Sequence, residues 1–275
     1  MRVLIDGAPV PEDEARVSVF DWGLQRGFGV FEVFRGYGGR PFRMGPHLDR
    51  LERSAAALHI PVPDRADLEQ WSQEVTAAGG DCQVRILLTG GGRDPLVEAA
   101  STTVVLWEPV GEAPPQLELL PVVAPWHPSG RSGGFPGVKW TSYAPNMACI
   151  DMAHRAGFDD AVLVASEGHV LEGPTFTLAW ISEGRIETPS LEMGILSSIT
   201  REVLRECADR LGLDVKQGRF PLERMLAADE ALALSTVKEV KPVVRIGEFD
   251  IPEGPIVAKL GGVFGEIVAE ETSAD

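Results

Sequence analysis

Cysteine is scarce in this chain. Its 275 residues hold three, Cys82, Cys149 and Cys207, odd in number, widely spaced and without a CxxC pair. That pattern implies neither a disulfide framework nor a zinc site, and it fits a reducing cytoplasm. Positive charge is also short: 25 Lys and Arg stand against 41 Asp and Glu, for a net charge of −16. Nucleic-acid binding needs a positive field that displaces counterions, so it is not expected. The acidic balance reads as solubility, and an anionic substrate has to be met by local basic residues. No apolar run approaches the roughly 20 residues needed to span a bilayer. The opening Met1-Arg2-Val3-Leu4-Ile5-Asp6-Gly7 lacks the apolar core of a secretion signal. A soluble cytoplasmic protein without membrane partners is expected. What is present is ordinary: 44% hydrophobic and 24% charged residues, enough chain for two modest domains or one large one.

Turn residues and hydrophobic periodicity sketch the elements. Residues 3–10 read as a hairpin turning at Asp6-Gly7, and 29–35 as a strand. Gly38-Gly39 turns the chain into Pro41-Phe42-Arg43. Leu48, Leu51, Ala55 and Leu58 recur at helical spacing within 45–58, and a second helix covers 64–77. Strands follow at 82–89 and 102–107. The run 108–115 breaks all periodicity and marks a boundary. Beyond it lie a strand at 117–123, a Gly/Ser-rich loop at 129–134, and helices at 146–156, 198–211, 221–227 and 254–269. Further strands fall at 160–166, 169–171, 178–181 and 230–235. Without regular βαβ alternation the class is α+β, with largely antiparallel sheets. The expected division is a small N-terminal domain over 1–110, a linker over 111–120 and a larger domain over 121–275.

Lys139 carries the most chemistry. It stands between apolar Val138 and Trp140, with Tyr143 following and Glu172 further on. Apolar surroundings disfavour an ammonium, and a neutral amine attacks a carbonyl and holds it as a Schiff base. A carboxylate set against a pyridine nitrogen completes a site for pyridoxal phosphate. Most lysines are solvated surface residues, and this segment alone does not separate the two readings.

Its company does. Asp21-x-Gly23-x-x-x-Gly27-x-Gly29-x-Phe31-Glu32 is followed by His47-x-x-Arg50-Leu51. Then come Lys139-x-x-x-Tyr143-x-x-Asn146, Glu172-Gly173, Gly194-Ile195-Leu196-x-x-Ile199-Thr200-Arg201, and Ser235-Thr236-x-x-Glu239-Val240-x-Pro242-Val243. This ordered set, spread over nearly the whole chain, resembles the class IV aminotransferases, the fold-type IV enzymes that use pyridoxal 5′-phosphate. That family includes branched-chain and D-amino-acid transaminases, (R)-amine transaminases and aminodeoxychorismate lyase.

The resemblance implies a two-domain fold-type IV enzyme whose larger C-terminal domain, 121–275, binds the cofactor. Lys139 matches the lysine that forms the Schiff base and then shuttles the α-proton. Glu172 matches the carboxylate that keeps the pyridine nitrogen protonated; otherwise it is a solvated turn glutamate. Tyr143 looks like the partner of the phenolic oxygen, or is a half-buried aromatic. Arg50 matches the arginine that grips the phosphate in two-pronged fashion; the alternative is a helix arginine pairing with Asp49 or Glu52. Ile199 and Thr200 open a helix where free N–H groups favour an anion, unless Ser197 or Ser198 merely caps it. Ser235 and Thr236 complete the implied phosphate cup.

Substrate choice is implied by other positions. Arg26 and Arg85 are expected to clamp the substrate carboxylate beside Phe31, because an arginine within an apolar strand is costly to bury unpaired. A salt bridge to an acidic side chain is the competing account. Arg26 is expected to reach in from the neighbouring subunit of a homodimer. The best-known D-amino-acid transaminases carry tyrosine where Phe31 stands and an arginine-x-histidine pair in the loop after Arg85. Here that loop reads Gly91-Gly92-Arg93-Asp94-Pro95, and Arg93 reads as a loop charge. Branched-chain enzymes favour glycine where Val33 stands. The chain therefore looks closest to an atypical D-amino-acid transaminase branch, passing an amino group between a D-amino acid and a 2-oxo acid. The alternatives are a branched-chain L-amino-acid transaminase, an (R)-amine transaminase, the lyase, and a catalytically silent cofactor-binding protein.

Overall fold

Asp6 and Gly7 both adopt positive φ, 49° and 80°, and join β1 (Val3–Ile5) to β2 (Ala8–Pro9) as a tight antiparallel hairpin. The structure, a computed structural model, describes residues 2–92, 100–127 and 137–273. Arg93 and the loop expected at 129–134 lie outside the described residues. Two units divide the chain. One gathers Met1–Gly111, Val138–Tyr143 and Glu271–Asp275; the other gathers Glu112–Gly137 and Ala144–Glu270. The first long run ends at Gly111, inside the expected linker. The segment that carries Lys139 comes back to the first unit, and 117–120 opens a strand of the second.

In the first unit the chain continues through α1 (Trp22–Arg26), β3 (Gly29–Tyr37), β4 (Arg40–Pro41), α2 (Met44–Leu58), α3 (Arg65–Gly79), β5 (Cys82–Thr89) and β6 (Thr103–Pro109). Six strands pair antiparallel throughout in the order β2-β1-β6-β5-β3-β4. Alternation splits this sheet into two faces. Val30, Phe34, Val84, Ile86, Leu88 and Val105 form a buried core with Leu48, Leu51 and Ala55 of α2 and Leu68 and Val75 of α3. The opposite face carries Phe31, Val33, Arg85 and Leu87, with Phe31 opposite Leu87 and Val33 opposite Arg85.

The second unit runs through β7 (Leu117–Val123), α4 (Ala144–Arg155), β8 (Asp160–Val164), β9 (Thr177–Ser182), β10 (Arg185–Pro189), α5 (Ile199–Leu211), β11 (Val215–Gly218) and α6 (Leu222–Leu226). It ends with β12 (Glu230–Ser235), β13 (Glu239–Ile246), β14 (Phe249–Asp250) and α7 (Pro255–Thr272). Its sheet has the order β11-β10-β9-β12-β13-β7-β8, with β14 on β13. The middle, β10-β9-β12-β13, is antiparallel, whereas β11/β10, β13/β7 and β7/β8 are parallel. Trp180 is fully buried against Phe220, their rings perpendicular at 5.1 Å, and its indole N–H donates to Glu187 at 3.0 Å. The strand expected at 169–171 makes only isolated bridges, Val164 with Val170 and His169 with Pro221. Among the described residues no helix is long and apolar enough to cross a membrane.

Candidate active site

Lys139 is placed by the start of β3. Phe31 donates its N–H to the Lys139 carbonyl and Thr141 donates to the Gly29 carbonyl, both at 2.9 Å, and Val30 faces Trp140 in an antiparallel bridge. Val138 and Trp140 pack on the core, so alternation turns Lys139 to the opposite face, beside Phe31. Its Nζ lies 4.5 Å from the centroid of Phe31 and 5.5 Å from that of Tyr143. Those two rings meet edge to face at 5.0 Å. Ser54 Oγ accepts the Lys139 N–H at 3.2 Å. Glycine makes the close approach possible. Gly27 has φ 64°, and its carbonyl accepts from Thr141 Oγ1 at 2.8 Å and Ser142 Oγ at 2.9 Å. A Cβ on Gly29 would fall 2.8 Å from the Leu88 carbonyl oxygen and 3.0 Å from Thr141 Oγ1. The Gly27-x-Gly29 motif is thus the seat of the lysine segment.

Arg65 takes Asp49 at 2.8 Å and Glu52 at 3.0 Å, whereas a different carboxylate meets Arg50. Arg50 is buried, and donates from Nε to Glu32 Oε1 at 2.6 Å and from Nη2 to Glu32 Oε2 at 2.8 Å. His47, one helical turn earlier, meets Glu32 Oε2 through Nδ1 at 2.8 Å. Burial pushes the Glu32 carboxyl up, but Arg50 and then His47 overcome it and bring the pKa down to about 2. Burial lowers the His47 pKa below 6.5; Glu32 opposes the shift, and the Arg50 and Lys139 charges add to it.

Glu172, Ile199, Thr200, Ser235 and Thr236 all belong to the second unit. Glu172 accepts from Leu196 N–H at 3.2 Å and lies 3.4 Å from His127 Nε2. Asn146, in the first turn of α4, donates to the Pro174 carbonyl at 2.8 Å and so pins the turn after Glu172. At the start of α5 the N-cap Ser198 makes no side-chain bond to the helix N–H groups; its hydroxyl meets Thr200 Oγ1 at 2.8 Å instead. Ser235 Oγ accepts the Lys238 N–H at 3.0 Å, closing the turn that carries Thr236. Thr236 Oγ1 is buried and has no hydrogen-bond partner among the described residues. Arg201 is buried too. Burial lowers its pKa to about 10, with the Glu172 charge opposing and Arg205 adding.

The two expected carboxylate clamps differ in setting. Arg85 shares its sheet face with Phe31, its guanidinium carbon 5.9 Å from that ring centroid. It also reaches Glu108 Oε2, through Nε at 3.3 Å and Nη2 at 3.2 Å. Arg26 ends α1 and is exposed. Glu32, His47, Arg201 and His127 join these groups without a role implied by their sequence positions. The first three are titratable residues inside the quoted motifs, a signal that was present; His127 had none.

The family model described as amino-transferase class IV matches residues 29–246. The chain is 31% identical to a putative branched-chain-amino-acid aminotransferase of Methanocaldococcus jannaschii, covering 90% of this chain and 88% of that one. It is 32% identical to an aminodeoxychorismate lyase of Bacillus subtilis (90% and 87% covered) and 29% identical to a D-alanine aminotransferase of Listeria monocytogenes (98% and 97%). The solved branched-chain aminotransferase of Thermoproteus uzoniensis superposes with a TM-score of 0.87 at 29% identity, over 99% of this chain and 96% of that one. The chain belongs to the class IV aminotransferases, fold-type IV enzymes whose cofactor is pyridoxal phosphate. Each unit carries groups of the kind that cofactor needs: the first an amine on an aromatic face, the second a carboxylate, a helix start and, in a separate turn, the buried Thr236 hydroxyl.

Proposed function

We propose that this enzyme passes the amino group of a D-amino acid, such as D-alanine or D-glutamate, to a 2-oxo acid such as 2-oxoglutarate, in the cytoplasm and as a homodimer. The observation that carries the reading is the shared Phe31 ring, with Lys139 Nζ at 4.5 Å and the Arg85 guanidinium carbon at 5.9 Å from its centroid. A carboxylate held by Arg85 would lie on the same sheet face as the amine, and a proton shuttle requires that they share a face. The D-alanine aminotransferase relative and the arginine at position 26 support the choice of D-amino acids. Exposed Val19, Phe20 and Leu24, at 64%, 53% and 62%, lie just before Arg26 in sequence and support a dimer in which it serves the neighbouring subunit's substrate.

Bound pyridoxal phosphate supplies an aldehyde that captures the amino group and a ring that spreads the charge left by the departing α-proton. The residues do the rest. Lys139 Nζ accepts the α-proton in its neutral form and returns it as the ammonium. Tyr143 would donate to the phenolic oxygen, and Glu172 would keep the ring nitrogen protonated. In the first unit Arg50 would meet the phosphate; in the second, the N–H groups of Ile199 and Thr200 and the Ser235 and Thr236 hydroxyls would do so. Arg85 exchanges Glu108 for the substrate carboxylate, and Arg26 adds a second contact.

A half-reaction panel of paired D- and L-amino acids, followed by loss of the cofactor's long-wavelength absorbance, tests the assignment. D-alanine or D-glutamate is expected to bleach the holoenzyme faster than its L-enantiomer. Faster bleaching by L-leucine would move the assignment to branched-chain substrates. Bleaching by no donor would favour the lyase or a catalytically silent cofactor-binding protein.

A further inference from the structure

Glu32 and His47 are buried, titratable and unused by the chemistry above. Glu32 sits fully buried on the core face of β3, between apolar Val30 and Phe34. A carboxylate there destabilises the fold unless it is paired. Both partners come from one stripe of α2, where residues 47, 50 and 54 share a face. Ser54 receives the Lys139 N–H, Arg50 takes both oxygens of Glu32, and His47 takes one of them again. The two-pronged pair fixes the plane of the guanidinium, a restraint that a single contact does not give. Neutral His47 meets an ionised carboxylate through Nδ1, so Nδ1 carries its hydrogen and His47 donates to Glu32.

We infer that Glu32 is a positioning residue for the cofactor: it clamps the Arg50 guanidinium from behind so that Arg50 meets the phosphate in one orientation, and His47 holds Glu32 in that pose. The inference rests on the reading that Arg50 grips the phosphate. Glu32 offsets the positive charge that would otherwise attract phosphate most strongly, so its contribution is direction rather than field. Glutamine at 32 would turn an amide donor toward a guanidinium donor and release that direction.

The test compares two ligands on apoprotein: pyridoxal phosphate and pyridoxal, which lacks the phosphate, each titrated by quenching of tryptophan fluorescence. Glu32→Gln is expected to weaken pyridoxal phosphate about tenfold while leaving pyridoxal within about twofold, so the preference for the phosphorylated ligand collapses. Glu32→Asp should restore part of that preference. Arg50→Ala separates the two levels. If it leaves the preference intact, the phosphate reading of Arg50 fails. If it removes the preference but Glu32→Gln does not, the reading of Arg50 stands and the role given to Glu32 is overturned. Equal weakening of both ligands by Glu32→Gln marks a merely structural residue and also overturns it. Should Glu32→Gln fail to fold, His47→Ala carries the same comparison: loss of preference, rescued by His47→Asn, supports the clamp. Unchanged preference in folded His47→Ala overturns it.

Discussion

An amine that rests on an aromatic face is positioned before any ligand arrives. Lys139 Nζ stands over Phe31 and beside Tyr143 because its backbone is stitched to β3. Lys139→Ala is expected to abolish turnover, below about 0.1% of the parent rate, while the phosphate contacts still retain cofactor. Half-reaction rates unchanged in that variant would contradict the role. Arg85→Ala should raise KM for amino acids about tenfold, the loss of a charged hydrogen bond, and spare (R)-1-phenylethylamine, which has no carboxylate. Equal losses for both substrates would remove Arg85 from carboxylate binding. The buried triad of Glu32, Arg50 and neutral His47 is expected to shape the pH response of stability. Glu32 titrates at about 2 in the fold against 4.5 in a free chain, so its stabilisation is present above 4.5 and disappears as pH falls toward 2. That amounts to on the order of 3 kcal/mol. His47, whose folded pKa is depressed below 6.5 by burial, acts in the same direction: below 6.5 the unfolded chain takes up a proton that the fold resists. The charged groups facing it are Glu32, Arg50 and Lys139. Urea melts should therefore show stability declining from about pH 6.5 and faster below 4.5, and Glu32→Gln should flatten the lower limb. A parent curve flat from pH 7 to 3.5 would contradict the triad's charges. At this scale the sequence exposed Lys139 by its neighbours but hid the partners. Nothing in the spacing of Arg85 and Glu108 announces their contact, because register between β5 and β6 is a property of the sheet.

Among the elements, the clearest in sequence were those with one unbroken period. Helix α2 buries Leu48, Leu51, Ala55 and Leu58 along one face, and the same face admits His47, Arg50 and Ser54 only because Glu32 and the Lys139 segment use them. The hairpin of β1 and β2 followed from Asp6-Gly7. Strands β10, β11 and β13 were not legible. β11 is polar and short, and β13 contains Lys241-Pro242, which argues against an inner strand because proline gives no ladder hydrogen bond. Pairing on both sides with β12 and β7 overrides that preference. Nor did any local signal tie 138–143 to the start of β3, since contacts between residues so far apart in sequence leave no period. Gly27 and Gly29 are its only trace. Gly29→Ala should force the lysine segment off β3 and destabilise the fold by about 1–3 kcal/mol. Cofactor occupancy after dialysis should fall with it. A variant with parent stability and occupancy would show that the close approach does not matter.

For the molecule as a whole, the family and its cofactor were legible because ordered motifs span it, whereas donor and acceptor were not. Relatives of similar identity are a branched-chain aminotransferase, a lyase and a D-alanine aminotransferase, so the reactions diverge at a few side chains that overall similarity does not weigh. With a net charge of −16, an anionic substrate and cofactor have to be met by local basic residues such as Arg85 and Arg50. Holoenzyme reduced with borohydride, digested and mapped by mass spectrometry should carry a phosphopyridoxyl group on the peptide containing Lys139. The same label on Lys216, Lys238, Lys241 or Lys259, with Lys139 unmodified, would contradict the assignment.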